Sequence, residues 1–255
     1  MMLSWFIPRP DPAEPIARTW CYARVPEGDR RLFIFLPGRR DRARDFGRHG
    51  FITLARAHVP RLDCVAVDAT IGYYLDGSAP DRIQREIIVP ARALPYNEIW
   101  LVGVSMGGMG AFWHQSRYPG EIAGLILLAP FVGDDRKLFT EIDTAGGATA
   151  WAKAQPVNNP KRKTDYQREL WRFLGTIPSL PEPQPQIWVA YGDRDRLRPG
   201  IERLRTVIPP ARFLQLPGAH RWQTWKAGFD QILARIDWPG SELKKLPRQP
   251  LDPQI

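Results

Sequence analysis

The sequence predicts an α/β domain with a mostly parallel central sheet, flanking helices and a helical insertion. Three observations predict it. Apolar runs at 99–104, 125–129 and 187–191 carry no internal charge, as strands covered on both faces require. Helix-compatible stretches lie between them, the alternation that builds a parallel sheet. Residues 98–113, EIWLVGVSMGGMGAFW, pass from a strand through a glycine-bracketed serine into a helix. The chain has 255 residues, 44% of them hydrophobic, enough for one large domain with its own core.

Taken in order, residues 1–16 are proline-rich and read as an extended arm. Residues 19–25 and 32–36 predict a hairpin about the turn-like Pro26-Glu27-Gly28-Asp29. The stretch after Pro37-Gly38 alternates arginine with Asp41 and Asp45, and reads as a solvated loop and helix start with Phe46 and Phe51 turned inward. A short helix is predicted at 52–59 and a strand at 64–67. Residues 69–80 then form a turn-rich loop at a strand's carboxyl end, where open α/β sheets hold ligands; Tyr73 and Tyr74 there either line a pocket or pack the loop. Residues 81–93 predict a helix with Ile83, Ile87 and Ile88 inward, and 106–117 another, ending before Pro119-Gly120.

From 134 to 185 the pattern changes to charged helical stretches at 136–142 and 165–174, a basic run at 160–163 and closing prolines. This segment reads as a cap or lid of two or three helices, with Trp151 and Trp171 either facing a substrate or forming its own core. The body then occupies 17–133 and 186–238, with a strand at 187–191, a helix at 199–207, a strand at 212–216 and a closing helix at 223–236; residues 239–255 read as a loose tail.

The formal net charge is +9, from 36 basic and 27 acidic residues, but the excess is spread along the chain without a basic-aromatic tract, so no nucleic-acid partner is expected. Cys21 and Cys64 have no metal-ligand spacing and could pair only if the fold brings them together; free thiols are the expectation. The amino-terminal residues lack a basic start and a long apolar run, and no stretch is long enough to span a bilayer, so a cytoplasmic protein without a membrane span is expected. No lysine follows the glycines as a P-loop needs, Trp113 replaces the third glycine of a dinucleotide fingerprint, and no zinc motif is present. No cofactor or metal is therefore called for.

Gly103, Ser105 and Gly107 form G-x-S-x-G between strand and helix, the context in which this pattern places a serine hydroxyl above the sheet edge as a nucleophile. Such a hydroxyl needs a histidine base held by a carboxylate. Of four histidines, His114 lies nine residues beyond Ser105, about 13 Å along one helix and out of reach. His49 and His58 precede the serine and sit before or within a helix. His220, in the short loop after the last predicted strand, is the candidate base. The acid is Asp195 or its neighbour Asp193, after the strand at 187–191, with Asp134 and Asp135 more distant alternatives.

The elbow GVSMGGMGA, the G-D-R-D segment at 192–195 and the PGAH loop at 217–220 resemble the α/β-hydrolase superfamily over about residues 20–238. SMGGMGA is similar to the elbow of S-formylglutathione hydrolases and kindred carboxylesterases. The resemblance implies the α/β-hydrolase fold and a serine esterase acting on a small-molecule ester or thioester through Ser105, His220 and Asp195. It also implies an oxyanion hole from the amides of Met106 and Arg39, with Gly38 allowing close approach; Pro37-Gly38 departs from the common His-Gly form. The rival readings are a non-catalytic binding protein, or an amidase or peptidase, on the same fold.

Overall fold

The computed structural model describes residues 11, 13–23, 30–59, 61–155 and 165–239. The expected turn at 26–29 and the basic run at 160–163 lie outside the described residues, as do most of the arm and the tail. The strands are β1 (Arg18–Cys21), β2 (Arg30–Leu36), β3 (Leu62–Val67), β4 (Tyr96–Val104), β5 (Gly124–Leu128), β6 (Gln186–Gly192) and β7 (Phe213–Leu216). They form one sheet in the order β1-β3-β2-β4-β5-β6-β7, parallel except for β1. β2, β3 and β5 are buried almost throughout, as the uninterrupted apolar runs require.

The helices are α1 (Ala43–Arg48), α2 (Phe51–His58), α3 (Ile71–Leu75), α4 (Ala79–Ile83), α5 (Val89–Arg92), α6 (Met106–Arg117), α7 (Arg136–Thr144), α8 (Ala148–Ala154), α9 (Tyr166–Thr176), α10 (Arg198–Arg203) and α11 (Trp222–Arg235). The order of strands reverses between β2 and β4: the chain steps outward from β2 to β3, then returns to pair β4 with β2. The loops leaving the carboxyl ends of β2 and β4 therefore part from each other and open a crevice.

Three local expectations need correction. The hairpin of 19–25 with 32–36 does not form; β1 pairs antiparallel with β3. β2 has both edges occupied, by β3 and β4, so the preceding segment covers the free edge of β3 instead. The loop at 69–80 contains α3 and the start of α4, with Pro80 in the first helical turn where its missing N–H costs nothing. The helix at 81–93 is interrupted by a π-turn, Gln84–Ile88, ahead of Pro90, which lacks the N–H that a continuous α-helix would direct at Glu86.

Cys21 and Cys64 stand directly opposite each other across β1 and β3 as free thiols, and burial pushes Cys64 up to about 12. Arg82, buried and paired with Glu86, also donates to the carbonyls of Asp11 and Glu14, while Glu86 accepts the Ile16 amide at 2.7 Å; the described part of the arm is tied down there. Among the described residues no helix is long and apolar enough to cross a membrane, and no group of three or more His, Cys, Asp or Glu could hold a metal ion.

His114 is fully buried on α6, its Nε2 2.9 Å from Gln84 Oε1 in the π-turn, and burial lowers its pKa to about 4. A histidine held neutral in the fold but free to charge near pH 6.5 when unfolded stabilises fully above pH 6.5 and progressively less as pH falls towards 4. The interval corresponds to roughly 3 kcal/mol. Urea titrations at pH 7 and pH 4.5 are expected to show this loss in the wild type, and a distinctly smaller one in His114→Gln.

Candidate active site

β4 ends in a backbone reversal. Ser105 has φ 52° and ψ −112°, a conformation costing a residue with a side chain on the order of 1–3 kcal/mol. Backbone bonds hold it there: the Ser105 amide donates to Leu128 O at 2.9 Å, and its carbonyl accepts from Phe131 N at 2.8 Å and Gly108 N at 3.0 Å. The bracketing glycines permit the turn sterically. A Cβ on Gly103 would come within 2.5 Å of Gly107 O, and one on Gly107 would strike the Leu36 carbonyl. The hydroxyl is thereby presented from a nearly buried residue at the mouth of the crevice.

His220 Nε2 lies 3.1 Å from Ser105 Oγ, and His220 Nδ1 lies 2.8 and 3.0 Å from the two carboxylate oxygens of Asp195. Asp195 is buried and also accepts the Leu197 amide at 2.8 Å. Asp193 does a different job: its Oδ1 accepts the Gly218 amide at 2.8 Å, and the Arg194 amide donates to Gly218 O at 2.8 Å, lacing the loop after β6 to the loop that carries His220. Asp134 lines the cavity mouth and Asp135 caps the start of α7; neither touches His220. His49 stacks on Trp222 and His58 lies 2.6 Å from Asp230.

Met106 is the first residue of α6, so its N–H has no acceptor within the helix. Gly38 packs beside the serine: a Cβ there would lie 3.6 Å from Ser105 Cβ. Ser105, Met106 and Arg39 share a cavity of about 830 Å³. Tyr73 and Tyr74 line it. Trp151 and Trp171 do not, so the substrate-facing alternative for them is corrected and the core alternative describes them: Trp171 is fully buried and donates to Val132 O at 2.7 Å, while Trp151 lies under Arg168 and donates to Glu141 at 3.4 Å. Both anchor the helices between β5 and β6.

Several wall residues went unremarked in the sequence. Met109, Trp113 and Arg117 follow Ser105 at intervals of four and so fall on its face of α6, a legible spacing. Asp41 and Trp222 leave no comparable signal. The Trp222 Nε1–H donates to Asp41 Oδ1 at 3.2 Å, joining the loop after β2 to the helix that follows His220, and burial raises the Asp41 carboxyl above the usual carboxylate range.

A model of the Esterase family matches residues 89–236, which contain Ser105, Asp195 and His220. The chain belongs to the Esterase family. It is thus a carboxylic ester hydrolase acting on small-molecule esters. No curated protein matches it in sequence. Among solved structures the esterase is similar to S-formylglutathione hydrolase from Staphylococcus aureus, with 13% identity, 87% of this chain and 96% of that chain covered, and a TM-score of 0.57. A fluorophosphonate-binding serine hydrolase of the same organism is similar at 14% identity, over 88% and 100% of the two chains, with a TM-score of 0.55. The peroxisomal α/β-hydrolase of Saccharomyces cerevisiae is similar at 11% identity, over 94% and 92%, with a TM-score of 0.57. At these identities the likeness concerns the fold, which is that of the α/β-hydrolases.

Two outcomes follow from the site's packing. Tyr74 Oη is buried against Gly110 without a hydrogen-bond partner among the described residues, so Tyr74→Phe is expected to raise stability by about 1 kcal/mol, read as a higher Tm. Asp41→Ala is expected to lower kcat roughly ten- to hundredfold by loosening the loop after β2. Asp41→Asn, which keeps an acceptor for Trp222, is expected to retain most of the rate in the same steady-state assay.

Proposed function

We propose that this esterase cleaves a carboxylic ester or thioester through Ser105, His220 and Asp195 by way of an acyl-enzyme. The observation that carries the reading is the continuous contact from Asp195 through His220 to Ser105 Oγ at 2.8 and 3.1 Å. In this reading Nδ1–H of His220 donates to Asp195, leaving Nε2 as the acceptor for the Ser105 hydroxyl proton. The serine oxygen attacks the carbonyl carbon as the proton passes to Nε2. The imidazolium, stabilised by the buried Asp195 carboxylate, then protonates the departing alcohol or thiol. Water enters and gives a proton to His220 Nε2 as its oxygen attacks the acyl carbon; the Ser105 Oγ–acyl bond then breaks, His220 returns the proton to Ser105 Oγ, and the acid leaves.

The amides of Met106 and Arg39 are assigned to the charge that develops on the carbonyl oxygen, each worth about 3 kcal/mol in such sites. Support comes from their presence in the same cavity as Ser105 and from the close approach that Gly38 allows. We assign residues 134–185 the role of a cap over the carboxyl edge of the sheet, since Asp134, Tyr166 and Glu169 line that cavity. Tyr73 and Tyr74 form part of its substrate wall.

Reaction with a fluorophosphonate probe is expected to label the wild type and leave Ser105→Ala unlabelled; labelling that persists in the variant sinks the assignment of the nucleophile. Ser105→Ala and Asp195→Asn are each expected to reduce kcat by a factor on the order of 10³ or more. Asp193→Asn, which can still accept the Gly218 amide, is expected to cost less than about tenfold, so the two aspartates separate in one assay.

A further inference from the structure

Resting on the Ser105 reading, we infer that the substrate is an ester carrying an anionic group, a carboxylate or a phosphate, recognised by Arg39 and Arg196. Five charged side chains line the cavity that holds Ser105: Arg39, Arg117, Asp134, Glu169 and Arg196. Arg117 is neutralised by Asp81 at 2.8 Å, and Glu169 is paired with Arg172. Asp134 accepts from the Gln167 amide at 3.0 Å. Arg39 and Arg196 make no ion pair and no side-chain hydrogen bond with any described residue. The cavity lining therefore includes two arginines without an ion pair, both exposed to solvent, against one carboxylate, Asp134, that likewise has none.

Their positions matter as much as their number. Arg39 leaves the chain directly after Gly38, which packs against Ser105, and Arg196 directly after Asp195, which holds His220. Both stems thus depart beside the reacting groups, from loops at the carboxyl ends of β2 and β6. Elsewhere the wall combines the apolar Ile71, Leu75, Met109, Trp113 and Phe131 with Tyr73, Tyr74 and Tyr166. Low-dielectric walls focus the field of unpaired cations within the cavity, which draws in anions and opposes cations. A guanidinium presents planar paired donors that match a carboxylate or phosphate, whereas a neutral ester offers only weaker acceptors. An apolar body with one anionic end satisfies both parts of this surface.

The test compares matched esters with the full-length enzyme, each rate normalised to the ester's hydroxide-catalysed hydrolysis. p-Nitrophenyl valerate against mono-p-nitrophenyl glutarate places the charge on the acid half. Phenyl butyrate against 4-(butyryloxy)benzoate, and against 4-(butyryloxy)phenyl phosphate, places it on the alcohol half. The anionic member of at least one pair is expected to have the higher kcat/KM by about tenfold, the size of one charge-assisted bond. That ratio is expected to shrink at high salt and to approach unity in R39Q/R196Q. Ratios near unity or below it in every wild-type pair, or a preference that survives in R39Q/R196Q, overturn the inference while leaving the Ser105 reading intact. No turnover of any ester, the neutral ones included, overturns both.

Discussion

The reversed backbone at Ser105 is the constraint on which the remaining architecture depends. A residue with a side chain at φ 52° is unfavourable in isolation, and it persists because the end of β5 and the chain just beyond it hold both its amide and its carbonyl. Leu128 O at the end of β5 takes its amide, and the chain returning at Phe131 donates to its carbonyl. α6 can then begin immediately at Met106, pressed so closely onto the end of β2 that Gly107 has no room for a side chain. The turn is thus a product of the parallel order β2-β4-β5. Without both flanking strands, nothing in the five-residue pattern would keep the hydroxyl above the sheet edge.

A second level of support fixes the distance from that hydroxyl to the base. His220 lies on the loop after β7, three strands along the sheet from β4, which carries the serine, and long-range positioning of this kind needs rigid intermediates. Asp193 and Arg194 supply them by bonding the two loops together through Gly218, so that Asp195 and His220 move as one unit. On the opposite side, Asp41 and Trp222 connect the β2 loop to the first turn of α11. The two ties converge on the histidine from different directions, one through the acid loop and one through the loop assigned to the oxyanion.

Much of this is legible in the sequence. Uncharged apolar runs mark parallel strands because both faces of each are covered, and the turn at Ser105 is readable because steric crowding demands glycine at fixed offsets. His220 is left by elimination, since helix geometry removes His114, while His49 and His58 precede the serine and sit before or within a helix. The sequence favours Asp195 without excluding Asp193: both follow β6, and only the loop's three-dimensional path turns one inward and the other towards Gly218. The β1–β2 hairpin was misread for a related reason. Local turn chemistry favours pairing neighbours, but the partner of an edge strand is decided by which sheet edge remains open. Trp151 and Trp171 illustrate the same limit, because amphipathic spacing reports that a side chain is buried without saying against which surface.

That last ambiguity bears on how the enzyme separates chemistry from selectivity. Both tryptophans pack among the helices between β5 and β6, which are reinforced by Arg168 Nη2 donating to both Glu141 oxygens at 2.6 and 2.7 Å. The groups these helices present to the cavity, Tyr166 and Glu169, lie on α9 and can change without disturbing that packing or the strand ends. The remaining apolar wall comes from α3, from α6 and from the chain leaving β5, each anchored next to the serine turn. One side of the cavity is therefore built on the serine turn itself, and the other is tied to the chain leaving β5 through Trp171 and Gln167. Variation in α9 can retune which ester enters, whereas substitutions on the face of α6 shared with Ser105 act on substrate fit and on the turn together.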